Sequence, residues 1–274
     1  MNNLHRQLAP ISDAAWSEIE EEAKRSFRRN IAGRRVVDVT GPVGLDVAAV
    51  TTGHRAPIDA PGEGITASMR LSQPLIEFKI PFTVSRAAID DVDRGSKDSD
   101  WDPVIAAARA AALAEDRAVF ESFAAGDIGG VRDHVQAEPI ALPADVREYP
   151  EAFSHALSTL RLASVNGPYS FVLAADVYSL VNETSNHGYP VREHLQRLIG
   201  DGDIVWAPAI DGAFVISTRG GDYELTIGQD LSIGYDWHDA TNVGLYFQES
   251  FTFQVFTGEA AVALTYDGSA TGLD

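Results

Sequence analysis

The sequence predicts an α+β fold from three patterns. Residues 12–31 carry apolar side chains at helical spacing. Residues 65–84 hold two runs that alternate apolar and polar, as half-buried strands do. Residues 149–220 alternate short helices with short strands, the texture of an α+β or α/β module.

Trp16, Ile19, Ala23, Phe27 and Ile31 share one face of the first helix. Ser12 or Asp13 suits its N-cap. Glu18, Glu20, Glu21 and Glu22 sit early, and Lys24, Arg25, Arg28 and Arg29 late, which suits the helix dipole. Gly33 is expected to end it. Residues 36–40 are β-branched enough for a short strand, followed by a turn at Gly41, Pro42 and Gly44. Residues 51–64, polar and rich in Gly and Pro, are expected to form an exposed hairpin tip. Ile65, Ala67, Met69 and Leu71 then alternate with polar residues, as do Ile76, Phe78, Ile80, Phe82 and Val84. Pro81 marks an edge strand or a bulge. Two amphipathic strands beside a glycine-rich tip have little core of their own, so such an arm needs a neighbour to cover it.

Asp102 and Pro103 open a long helix expected to run to about residue 125, where Gly126, Gly129 and Gly130 break the pattern. Helices are then expected over 153–162 and 191–199, and strands over 169–174, 204–209 and 213–218. Three alternating runs close the chain: Leu231, Ile233 and Tyr235, then Val243, Leu245 and Phe247, then Phe251, Phe253 and Val255. Residues 267–274 are expected to be a mobile tail.

With 274 residues, 45% of them hydrophobic, the chain can bury one large core or two modest ones. No run approaches the roughly 18 apolar residues of a membrane span. No apolar run follows His5 and Arg6, which argues against a secretory signal. There is no cysteine, so disulfides, zinc–thiolate sites and thiol nucleophiles are excluded. A cytoplasmic location suits these traits. The formal net charge of −19 argues against nucleic-acid binding, which usually shows as a basic surface.

Standard catalytic patterns are missing: no G-x-S-x-G, no P-loop, no G-x-G-x-x-G and no H-E-x-x-H. Asp98, Asp100 and Asp102 imitate the start of a calcium loop, but Pro103 stands where glycine is needed and Arg109 where the closing Glu belongs. They read as helix-capping surface. Glu183, His187, Glu193 and His194 form the best metal-like group, without the spacing of a di-iron site. His155 and His238 read as ordinary structural histidines. No metal site is expected, and a Ser–His–Asp enzyme stays open, because such triads are recognised by geometry rather than by sequence spacing.

Ordered words along the chain carry a resemblance: Leu8-Ala9-Pro10 and Trp16; Gly33-Arg34-Arg35 and Val37-Asp38-Val39; Pro81-Phe82-Thr83; Asp90-Asp91-Val92-Asp93-Arg94-Gly95. Asp98-Ser99-Asp100-Trp101, Gly167-Pro168-Tyr169-Ser170, His187-Gly188-Tyr189-Pro190 and Arg219-Gly220-Gly221-Asp222 follow, then the run from Gly228 to Tyr235. In this order they resemble the encapsulins, the linocin-like shell proteins of bacterial nanocompartments, and Ser99-Asp100-Trp101 resembles their actinobacterial branch.

The resemblance implies the Hong Kong 97-type phage-capsid fold and a structural shell subunit that is not itself an enzyme and holds no cofactor. It implies a peripheral domain over 1–46, 76–133 and 222–257, an extended arm over 47–75, an axial domain over 134–221, and an axial return with tail over 258–274. It implies an icosahedral shell of about 60 copies enclosing a peroxidase or a ferritin-like protein with a C-terminal targeting peptide. By position, Phe27, Ile31, Arg34, Asp38, Leu231 and Ile233 match the peptide-docking region. Glu183, His187, Gly188 and Tyr189 match the loop lining the fivefold pore, where carboxylates favour cations. Some relatives carry an aromatic linked to flavin near the end of the third strand; Ser85-Arg86-Ala87-Ala88 offers none, so no flavin is expected. Two other classes compete. One is a bacteriocin- or protease-like enzyme, separable by assaying cargo-free shells. The other is a true phage capsid protein, disfavoured because the first helix starts where a scaffolding segment is often found.

Overall fold

The computed structural model describes residues 3–266, so the expected tail at 267–274 lies outside the described residues. The first helix, α1 (Asp13–Asn30), buries Ala15, Trp16, Ile19, Ala23 and Phe27, the stripe that its spacing predicts. The Ser12 side chain accepts from the Ala15 N–H and satisfies a donor of the first turn. Gly33 is not the terminator expected. The chain leaves α1 at Ile31 in extended conformation. A Cβ on Gly33 would lie 3.1 Å from Asp116 and 3.3 Å from Val119, so glycine serves close packing there.

After β1 (Asp38–Thr40) comes a hairpin of β2 (Ala49–Ile58) and β3 (Ala67–Pro74). Strand pairing reaches from Ala49↔Pro74 to Ile58↔Ala67, so the tip is confined to 59–66 rather than 51–64. A register shift between Thr51 and Arg55 absorbs the glycine that made this stretch read as a turn. Neither strand buries a residue. The Gln73 side chain donates to the Asp127 carbonyl and ties down the hairpin's base.

Next come β4 (Ile76–Ser85), α2 (Arg86–Asp93) and α3 (Asp102–Phe120), the last with Pro103 in its first turn. α3 stops short of residue 125 because Phe123 bonds back to Ile128, N–H to carbonyl at 2.8 Å and the reverse at 3.1 Å. The following stretch holds α4 (Val131–His134), β5 (Ile140–Leu142), α5 (Tyr149–Leu162), β6 (Tyr169–Leu173) and α6 (Ala175–Glu183). Then come β7 (Ser185–Asn186), β8 (Tyr189–Pro190), α7 (Val191–Ile199), β9 (Ile204–Trp206) and β10 (Ala213–Ser217). The chain closes with β11 (Tyr223–His238), β12 (Asn242–Val255) and β13 (Ala261–Tyr266). The last two alternating runs are one strand, β12, which pairs with β4 continuously from Asn242 to Phe251.

Two larger sheets organise these elements. One has the order β1-β11-β12-β4, the other β5-β13-β10-β6-β9. β4 is an edge strand, where the missing N–H of Pro81 costs no central ladder bond. α1, α2 and the first turns of α3 pack on the part of the first sheet that holds Phe82, Ile233, Leu245 and Phe247. A second core joins Phe120 at the end of α3 to the five-stranded sheet and α5, with Phe120 stacked on Phe214 at 5.7 Å. The α+β class is borne out.

Candidate functional site

Helical and strand periodicity meet along one face of α1. Phe27 and Ile31 lie one helical turn apart, and Leu231 and Ile233 lie two residues apart on β11, so each pair projects to one side. Between these elements opens a groove of about 590 Å³. Its floor is Ala23, Phe27, Ile31, Ile233 and Phe247, with Leu231 half-buried at the side. The N-terminal segment forms another wall through Leu4, whose carbonyl accepts from the Tyr235 N–H at 2.8 Å.

Arg34 closes one end. Its guanidinium lies 4.9 Å over the Phe27 ring and donates to Glu115 at 2.6 Å and to Asp230 at 2.7 Å. Glu249 approaches it at 3.5 Å. Burial works against the Arg34 charge, but Glu115 and Asp230 outweigh it and raise its pKa above the ordinary arginine value. Burial, then repulsion from Glu115, pushes Glu249 well above the usual carboxylate range, with Arg34 pulling the other way. Next to them Asp116 accepts the N–H groups of Ala32 and Gly33 at 2.8 and 2.7 Å, taking up donors left open where α1 ends. Burial pushes its carboxyl up to about 8, the two N–H donors opposing the rise. Arg34 is thus a fixed post, held from below by side chains of α3 and β12, and its fork is occupied before any ligand arrives.

The structure brings Phe27, Ile31, Arg34, Leu231 and Ile233 into this one groove. Asp38 lies outside it: its carboxylate accepts from the Gly221 N–H at 2.6 Å, beside a separate small cavity. Sequence reasoning missed Leu4, Arg6, Lys24 and Arg28 as lining residues. Lys24, Arg28 and Ile31 are spaced by four and three, a helical-face signal that was available; Leu4 carried none. It also missed Glu115 and Glu249, which come from distant parts of the chain.

Glu183, His187, Gly188 and Tyr189 form a second locus. Glu183 ends α6 and is exposed. β7 and β8 pair as a tight hairpin whose turn residues, His187 and Gly188, have φ of 50° and 81°. Paired left-handed residues match the strand twist in such turns. Tyr189 sits edge-on to His194 at 4.6 Å and beneath the Arg197 guanidinium at 4.6 Å, which leaves His187 exposed at the tip. Among the described residues, no group of three or more histidines and carboxylates is placed to hold a metal ion. No helix among them is long and apolar enough to cross a membrane.

The fold is shared with capsid and virus-like-particle proteins. The virus-like particle protein of Pyrococcus furiosus superposes with a TM-score of 0.61 at 16% identity, covering 90% of this chain and 98% of that one. The capsid of Myoviridae phage XM1 superposes with a TM-score of 0.50 at 11% identity, covering 85% and 90%. The Hong Kong 97-type capsid fold expected from the sequence is the fold observed. The family model described as the encapsulating protein for peroxidase matches residues 1–252. A type 1 encapsulin shell protein of Rhodococcus erythropolis is 62% identical over 96% of this chain and 100% of its own length. The chain therefore belongs to the encapsulin family, among relatives of the actinobacterial type, and is a structural shell protein rather than an enzyme.

Proposed function

We propose that this shell subunit closes into an icosahedral cage of about 60 copies and captures a cargo enzyme by holding the cargo's C-terminal peptide in the α1–β11 groove. The cargo on this reading is a peroxidase, for which the family model is named, or a ferritin-like protein, so the shell serves oxidative-stress defence or iron storage. On the same reading the four-stranded sheet with α1–α3 is the peripheral domain, the five-stranded sheet the axial domain, and the β2–β3 hairpin the arm. The β7–β8 turn then lines a pore, with Glu183 favouring cations.

The observation that carries the docking reading is the groove itself. An open apolar trough lies between a helix and a strand, and its floor side chains already have a full set of neighbours on their inner side. An extended chain with alternate apolar residues fits such a trough. The test is co-expression of shells with a cargo that carries or lacks its C-terminal peptide, followed by gel filtration. Cargo should co-elute only with its peptide. Phe27→Ala should empty the shells, since losing an aromatic anchor typically costs about 2 kcal/mol or more. Leu231→Ser, at a half-buried wall position, is the milder companion. Full loading of assembled Leu231→Ser and Phe27→Ala shells would refute the groove.

A further inference from the structure

The groove carries charge that its own fold leaves unused. Its lining holds the cations Arg6, Lys24, Arg28 and Arg34 against the carboxylates Glu20 and Asp230, in a chain of formal net charge −19. Both carboxylates are taken: Asp230 by Arg34 at 2.7 Å, and Glu20 by Arg6, which also stacks 4.1 Å over Trp16. Among the described residues, Lys24 and Arg28 make no ion pair. Both are exposed and stand one helical turn apart. Cations near a helix C-terminus answer the dipole. Arg29 answers it equally and does not line the groove, so the dipole does not explain why two unpaired cations face the trough.

Resting on the reading of the groove as a peptide site, we propose that the peptide it takes pairs a short apolar stretch with an acidic flank, whose carboxylates meet Lys24 and Arg28. Like charges four apart on a helix repel weakly, and an anion between them relieves this as well as attracting each. The apolar stretch supplies affinity against Phe27, Ile31 and Leu231; the flank supplies direction and selectivity. Seven residues of helix, about 10 Å, separate Lys24 from Ile31. An extended peptide advances about 3.3 Å per residue, so the acidic flank falls about three residues from the anchor at the Ile31 end.

The test uses green fluorescent protein with a synthetic tail, co-expressed with the full chain. The tails share two leucines at alternate positions and carry, three residues away, Asp-Asp, Asn-Asn or Lys-Lys. Fluorescence per assembled shell is read after gel filtration. Wild-type shells should load the Asp tail about tenfold better than the Lys tail, the sum of two exposed ion pairs made rather than opposed. Lys24→Glu with Arg28→Glu should reverse the order, while Arg29→Glu should keep it. If that double variant fails to assemble, Lys24→Gln alone should narrow the preference to a few-fold. Leu231→Ser should lower loading of all tails alike. Lowered loading by Leu231→Ser with no preference among the tails overturns the acidic flank and leaves the groove reading standing. Unchanged loading by Leu231→Ser overturns the groove, and the proposal with it. Shells that carry RNA, lose it in the double variant and do not discriminate the tails also overturn it.

Discussion

The β2–β3 hairpin and the five-stranded sheet are both made of hydrogen-bonded strand pairs, yet they are stabilised in opposite ways. Every residue of β6 and β10 is buried, sealed by α5 and by the Phe120–Phe214 stack. No residue of β2 or β3 is buried, and Ile58, Ile65 and Met69 stand 50%, 54% and 54% exposed around the hairpin. A lone two-stranded hairpin is marginal in water, and exposed apolar side chains of this size call for a covering surface. One region is complete within the subunit; the other is left uncovered by it, and on the function proposed above neighbouring subunits cover it. That division suits a shell subunit, which must hold its shape alone and still be unable to finish folding its energetics without neighbours.

The comparison breaks first at the arm. Replacing Met69 and Leu71 by Asp should abolish the closed particle while leaving the far-ultraviolet circular dichroism of the soluble subunit unchanged. Intact shells from this double variant would show that the arm's apolar face is not covered by neighbours. The opposite behaviour is expected of Phe214→Ala. It empties a fully buried site and should cost about 3–5 kcal/mol in denaturant unfolding, a loss of stability rather than of the ability to associate.

Asp116 sharpens the same contrast at the junction of α1 and α3. Its carboxyl is pushed to about 8 in the folded chain from an ordinary 3.8. Below the unfolded value both states hold the proton. Between the two values unfolding releases it, so this group's stabilisation is full at low pH and is lost as pH rises through about 8. The thermal midpoint of the wild type should therefore fall between about pH 5 and about pH 8 more steeply than that of Asp116→Asn; equal slopes would remove Asp116 as the cause. The smallest effect is expected at the β7–β8 turn. Gly188 has φ of +81° with nothing within 4 Å of an added Cβ. Gly188→Ala should cost about 1–2 kcal/mol through backbone strain alone and leave assembly intact, as judged by gel filtration and thermal unfolding.

What was legible in the sequence follows this local–global divide. The α1 stripe, β4 with its edge proline and the α7 helix were readable because period and caps are local signals. So were Phe27 with Ile31 and Leu231 with Ile233, each pair set by its own element's geometry. The end of α3 was not, since Phe123 turns back by bonding Ile128 where the pattern of apolar residues still reads helical. Gly33 misled because a glycine after a helix is usually a stop, whereas here it admits Asp116. β5 and β13 are strands through pairing across more than a hundred residues, Leu264 with Ile140, which no local pattern announces. The same holds for the carboxylates under Arg34: Glu115 on α3 and Glu249 on β12 meet only in the folded chain.

The arm's dependence on neighbours is tested most directly by a cryo-electron-microscopy reconstruction of the purified full chain at side-chain resolution. A closed icosahedral particle of about 60 copies, with Ile58 and Met69 packed against an adjacent subunit, is the expected result. A reconstruction in which the hairpin projects into solvent, or in which the chain forms open sheets or small oligomers, would contradict it.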